Sequence, residues 1–255
     1  MTHSAPRWSG LRGWAGALCT CCTLLTPAAW ANDGPYLRLD TALVEDDDER
    51  SFEVNSRLSQ TKSQRELGVQ LEYNFAPTLS AEVELGWSRE RGGPEREREL
   101  ELSLRHVWID PNRQGWGLGG RFSLGWDKST EADRPAWAWA GPTAVAVFTL
   151  PLRNPQGELN ANLHANLGLS RNASAANTRA VWALGADAPV TRKVSLFAEA
   201  AGRATEDRVL HSGVRWWLQR EKVALDVSVS RTETLATGDA ARGIHIGLNL
   251  FDLNF

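Results

Sequence analysis

Cysteine is absent from this chain beyond residue 22, since Cys19, Cys21 and Cys22 are its only three. From residue 32 onward that excludes a disulfide framework, a thiolate metal site and a cysteine nucleophile. Long apolar runs are also missing. The longest after the first thirty-one residues, Ala136 to Leu150, is broken by Gly141 and Pro142, and a spanning helix wants ~18 apolar residues or more. Basic excess is lacking too. Arg7 and Arg12 are the only charged residues among the first thirty-one, which leaves 26 basic against 31 acidic residues beyond them, a formal charge of −5. That balance does not suit nucleic acid. Nor is there a Gly-x-Ser-x-Gly elbow, a His-Glu-x-x-His pair or a glycine-rich phosphate loop, so no enzyme, cofactor or metal is indicated. The acidic run Asp46-Asp47-Asp48-Glu49 has no turn glycine at a cation-binding spacing and reads as a solvated loop.

What the first thirty-one residues do have is the pattern of a cleavable signal peptide. Arg7 and Arg12 precede an apolar stretch from Gly13 to Thr26, and Ala29-Trp30-Ala31 forms a small-x-small cleavage site before Asn32. Residues 32–255 then make one domain by length.

That domain is dominated by a two-residue apolar beat. It runs through Leu67-Val69-Leu71-Tyr73-Phe75, Leu79-Ala81-Val83-Leu85-Trp87, Leu159-Ala161-Leu163-Ala165-Leu167 and Val223-Leu225-Val227-Val229. Side chains at i, i+2 and i+4 share one face of a strand. The pattern predicts twelve strands, near 36–44, 66–75, 79–88, 99–109, 115–127, 136–150, 157–170, 178–187, 193–204, 208–218, 222–231 and 242–255. Short turn-forming connections such as Ala76-Pro77-Thr78 and Asp110-Pro111-Asn112 alternate with longer charged ones, of which Glu45 to Arg65 is the longest. On the apolar face of these strands no Asp, Glu, Lys or Arg is expected, and His106 is the only ionisable residue. A lipid face would impose this, because Arg or Lys at the midplane of a barrel's outer face costs ~2–4 kcal/mol.

Aromatic residues cluster toward strand ends. Trp87, Trp126, Trp137 and Trp139 are expected at one end, and Trp108, Trp116, Trp216, Trp217, Tyr73, Phe75 and Phe251 at the other. Two such belts suit headgroup depth on both sides of a bilayer. Trp182, in mid-strand, does not fit. Pro142 inside the sixth strand argues for a bulge. The same strand is expected to turn Ala138, Ala140, Ala144 and Ala146 inward.

With these residues in view, the chain resembles a Gram-negative outer-membrane β-barrel protein, over all of residues 32–255. The most specific element is the last strand, Arg242 to Phe255, whose Phe251, Leu253 and Phe255 are similar to the C-terminal signal read by the barrel-assembly machinery. The apolar phase changes between Leu250 and Phe251, so a bulge is expected there. The resemblance implies an all-β, antiparallel up-and-down transmembrane barrel in the outer membrane, with its lipid and lipopolysaccharide as surroundings and the assembly machinery as a partner during biogenesis.

The polar face then lines the lumen. Its candidates are Glu66, Gln70, Glu72, Glu82, Glu84, Glu101, Arg105, Arg121, Asn160, Asn162, His164, Asn166, Arg179, Glu199, Arg203, His211, Arg215, Asp226 and His245. They suit the wall of a narrow channel for small hydrophilic solutes, or else a salt-bridged network that fills a closed, structural barrel. Eight strands are filled by side chains and sixteen leave an aqueous pore, so twelve lies between. A lipid hydrolase is a third reading, with Ser228 or Ser230 near His245 on the inner face.

Overall fold

The computed structural model of the protein describes residues 36–43, 50–93, 96–129, 137–204 and 206–253. The expected signal peptide, the acidic run at 46–49 and Phe255 lie outside these residues. Twelve antiparallel strands close on themselves. They are β1 (Ser51–Thr61), β2 (Gln64–Ala76), β3 (Leu79–Glu90), β4 (Arg96–Ile109), β5 (Gly117–Ser129), β6 (Ala138–Arg153), β7 (Leu159–Asn172), β8 (Asn177–Thr191), β9 (Val194–Arg203), β10 (Asp207–Gln219), β11 (Val223–Thr234) and β12 (Ala240–Leu253). One helical turn, α1 (Pro111–Gln114), is capped by Asp110 and joins β4 to β5. Each strand pairs with its sequence neighbours, and β1 pairs with β12 to complete the ring.

The strand count agrees with the sequence reading, but its first member does not. The expected strand at 36–44 is not in the wall, and residues 36–43 run through the lumen. The stretch read as the long loop Glu45–Arg65 contains β1, which turns into β2 through Lys62 and Ser63 alone. The contrast between tight turns at one end and long loops at the other is correspondingly weak, because several connections at the expected long-loop end are as short as 173–176 and 204–206.

Exposure alternates along the strands as the beat requires. Leu102, Leu104, Phe122, Leu163, Leu167, Leu169, Val227, Val229, Ile244 and Ile246 face outward and are exposed, and their partners across each strand pair do the same. A continuous apolar outer belt results, but Arg208, Arg231 and Arg242, inside the expected strands, also face outward at one margin, so the expected charge-free face does not extend to the strand ends. His106 lies at its lower margin and donates from Nδ1 to the Thr78 carbonyl at 2.9 Å. Trp182 packs over the face of Gly202, its cross-strand partner, which explains a bulky indole at mid-depth.

Bulges reset the phase where the beat stumbles. At the end that holds Ser51 and Leu253, every connection carries one, including the Phe251–Asp252 pair that opposes the single Glu53. Asp252 sits at φ 50° there. That two-against-one mismatch produces the phase change expected at Leu250–Phe251, and it turns Phe251 inward, 1% exposed, against Trp217. Both rings therefore leave the aromatic belt assigned to them. In β6 the mismatch sits at Ala140–Gly141, which together oppose Gly125, and Gly141 is at φ 125°, where any Cβ would collide with the Arg171 carbonyl. Ala138 precedes it. Beyond it Ala144 and Ala146 turn to the outer face and Val147 and Thr149 turn inward, correcting the inward assignment of those two alanines.

A charge on the outer belt is therefore expected to be tolerated by depth. Leu167→Lys, mid-strand and 68% exposed, should lower stability by ~2–4 kcal/mol, whereas Val190→Lys, at a strand end, should cost ~0–1 kcal/mol. Urea titration of protein refolded into phospholipid vesicles reads both.

Candidate functional site

The lumen is occupied by the chain itself. Residues 36–43 cross it as irregular backbone, and irregular backbone needs partners for its polar groups. The wall supplies them. The Glu199 carboxylate on β9 accepts from the amides of Leu37 and Arg38, each at 2.8 Å. Thr149 Oγ1 on β6 accepts from Ala42 N at 2.9 Å. Asn166 on β7, with its amide oriented to match, brackets the peptide of Asp40, accepting from its N at 2.6 Å and donating to its carbonyl at 3.1 Å. Side chains add anchors. Tyr36 donates to Asp187 at 3.0 Å, Arg38 pairs with both oxygens of Asp207 at 2.8 and 2.7 Å, and Arg121 reaches Asp40 at 3.2 Å.

Two apolar patches on an otherwise polar inner wall receive the segment's apolar side chains. Tyr36 and Leu39 pack with Ala183, Phe197 and Ala201, while Ala42 packs with Val107 and Val147. Gly185 is a notch for Leu39, because a Cβ there would collide with its side chain, and a Cβ at Gly117 would press on the Ala42 carbonyl. A wall with apolar patches under this segment, and gaps cut for its bulk, is shaped for it.

Around the segment the wall is a hydrogen-bonded network. Arg121 joins Glu82 at 2.8 Å, Glu101 at 2.7 Å and Ser103 at 3.0 Å, and Arg105 pairs with Glu72. One Arg121 guanidinium thus holds together a cluster in which oxygens of Glu82, Glu84 and Glu101 lie within 4.8 Å of one another. Arg215 grips Asp226 through Nε and Nη2 at 2.9 and 2.8 Å, with Asn249 donating to the same carboxylate at 2.8 Å. The Arg215 guanidinium also lies over the inward rings of Trp217 and Phe251, at 5.5 and 5.3 Å.

Histidines extend the network. A carboxylate can only accept, so His164 donates from Nε2 to Asp187 at 2.8 Å and takes the Thr149 hydroxyl at Nδ1, 3.0 Å. By the same rule His211 donates from Nδ1 to Glu199 at 3.3 Å and receives Ser228 at Nε2, 2.7 Å. His245 lies between Ser59 and Ser230, each at 2.8 Å. The Ser228–His211–Glu199 order has the connectivity of a nucleophile, base and orienting acid. All three are buried, however, and both Glu199 oxygens already receive the Leu37 and Arg38 amides.

The sequence-derived candidates divide by depth. Glu72, Glu82, Glu84, Glu101, Arg105, Arg121, Asn162, His164, Asn166, Glu199, His211, Arg215, Asp226 and His245 lie in the middle of the lumen, in or beside this network, and Gln70 lies with them along the same wall. Arg179 sits near the far rim, paired with Glu206. Glu66 and Arg203 are also toward that rim, and Asn160 is exposed at the opposite one. Missing from the candidate set are Glu53, Asn55, Arg57 and Ser59, which come with the unexpected β1, and Tyr36 to Ala42 themselves. The alternation of 36–44 signalled one-sided burial of that segment. It carried no sign that the burying surface was an inner wall. Beside the segment a cavity of about 130 Å³ remains, lined among others by Arg38, Arg57, Glu84, Arg121, His211 and His245.

No protein-family model matches the chain, and no curated protein matches it. Solved structures do match in fold. A KdgM porin aligns with TM-score 0.55 at 7% identity, over 78% of this chain and 98% of that one. A NanC porin aligns with TM-score 0.55 at 6% identity, over 80% and 100%. A KdgM porin in complex with disordered oligogalacturonate aligns with TM-score 0.53 at 7% identity, over 78% and 98%. The shared feature is the fold. The chain is a twelve-stranded antiparallel closed barrel similar in fold to the KdgM and NanC porins.

The Arg215–Asp226 pair gives a direct test of the network. Arg215→Met alone should destabilise by about 3–5 kcal/mol, since it strands a buried carboxylate, and adding Asp226→Leu should recover most of that loss. A double-mutant cycle by urea titration in vesicles measures both steps.

Proposed function

We propose that this protein is a narrow outer-membrane channel for small hydrophilic solutes, held closed by its own residues 36–43. The observation that supports this reading is the way the segment is fastened. Besides its two apolar contacts it is held by hydrogen bonds and ion pairs to Glu199, Thr149, Asn166, Asp187, Asp207 and Arg121, and its release would exchange those polar partners for water. A segment meant only as permanent filling would be better served by apolar packing throughout, as in eight-stranded barrels whose interiors are filled by side chains. The likeness in fold to small porins agrees with a solute-conducting role.

Selectivity in the open form follows from the wall. On β2–β4, Glu66, Glu72, Glu82, Glu84, Glu99 and Glu101 alternate inward and are opposed on those strands by Arg105. Such a carboxylate-rich sector favours cations or neutral, hydrogen-bonding solutes over anions. The buried serine–histidine pairs are read as members of the wall network, with no catalytic step assigned to them.

Planar-bilayer recording tests the proposal. The refolded full chain should be nearly silent, and deletion of residues 36–43 should raise conductance by about tenfold or more, with potassium preferred over chloride. A deletion variant that folds and inserts yet stays as silent as the parent would overturn the channel and favour a closed structural barrel.

A further inference from the structure

The outer face is chemically lopsided. At the end that holds Ser51 and Leu253, its outward positions carry no Asp, Glu, Lys or Arg among the described strand residues. At the opposite end, outward positions carry Arg65, Arg89, Arg96, Arg98, Lys128, Arg171, Arg208, Arg231 and Arg242, with Glu233 as the acidic exception. Glu233 lies directly opposite Arg208 in the ladder. Elsewhere like charges face each other. Arg65 opposes Arg89, and Arg98 opposes Lys128, across four adjacent strands. Like charges directly across a ladder destabilise a sheet. No acidic residue of β2–β5 shares that outward face. The acids of these strand ends, Glu66, Glu90, Glu97, Glu99 and Asp127, alternate to the lumen side.

We propose that the outward faces of β2–β5 at this rim form a docking site for a multiply phosphorylated, multiply acylated glycolipid of the surrounding leaflet. Three features specify that occupant. The cations stand immediately beyond the apolar belt, above Leu67, Leu85, Trp87, Leu100 and Trp126 on the same face, so the ligand must place anions at headgroup depth and alkyl chains below. An anionic protein or a free polyanion lacks the second part. Four strands at 4.7–4.9 Å spacing spread the cations across about 14 Å. That is wide for one phosphate and suits a disaccharide headgroup with a phosphate at each end. Finally, both wall ends lie at the uncharged rim. In bacterial single-chain barrels with an even strand count that rim is periplasmic, so the cationic rim meets the outer leaflet. The guanidinium groups would take phosphate oxygens in paired hydrogen bonds, which also removes the repulsion between facing arginines.

The test uses the refolded full chain in a neutral detergent and a variant carrying Arg65→Gln, Arg89→Gln, Arg98→Gln and Lys128→Gln, with folding of both checked by circular dichroism and gel mobility. Binding of a hexa-acylated bis-phosphoryl disaccharide lipid, its monophosphoryl form and phosphatidylglycerol is read by native mass spectrometry. The wild-type chain should hold the bis-phosphoryl lipid most tightly, and the variant should lose about tenfold or more of that affinity. Equal binding by a folded variant overturns the site. Equal preference for phosphatidylglycerol overturns the assigned glycolipid. A single-site Arg89→Gln variant, expected to show a smaller loss in the same direction, covers a quadruple variant that fails to fold. These readings do not depend on whether the barrel conducts.

Discussion

Closure between β1 and β12 is the constraint from which the rest follows. In hydrocarbon an unpaired strand edge leaves a row of amides and carbonyls without water, at several kcal/mol apiece, so the ladder must return on itself. Closing it with twelve strands sets a circumference too large for wall side chains alone to fill. The space left is taken by residues 36–43, joined to β1 through 44–49. Filling a lumen with main chain creates a second obligation, since every inserted peptide group needs a partner. Glu199, Thr149 and Asn166 meet that obligation from three different strands. The polarity of the inner wall is therefore tied to the geometry of the outer one.

That chain of causes also explains which parts of the molecule could be read from sequence. Lipid accepts one polarity only, so the outer beat of β2–β5, β7 and β9–β12 was legible from alternation alone. The same alternation is ambiguous about what it is buried against. Tyr36 to Leu43 alternates as a strand would, yet its apolar side chains meet Phe197, Ala183, Val107 and Val147 from inside. Conversely β1 alternates as Phe52, Val54, Ser56, Leu58 and Gln60, a weaker beat that an acidic run just before it made easy to read as loop. Phase was the other blind spot. A single extra residue at Gly141, or at Phe251–Asp252, moves everything beyond it to the opposite face. Proline and a change of parity flagged both places, but which residues moved, including Ala144, Ala146 and Phe251, depended on where the bulge fell.

The two rims of the barrel differ as much as its two faces. One carries a bulge at every connection and an uncharged outer margin. The other carries facing basic residues and, among the described residues, a single bulge, in β6 next to Gly141. Bulges increase local twist and end pairing neatly at a barrel mouth. Arginines placed opposite one another do the reverse unless an anion lies between them. The proposed gate and the proposed lipid site both rest on hydrogen-bonded charge, at different depths of one sheet.

Residence of residues 36–43 inside the ring is most directly measured by hydrogen–deuterium exchange on the refolded barrel, comparing the parent with Glu199→Gln. The account requires the amides of Leu37 and Arg38 to exchange slowly in the parent and markedly faster in the variant, whose amide side chain can no longer accept both. Exchange in the parent as fast as in an unstructured peptide would contradict it.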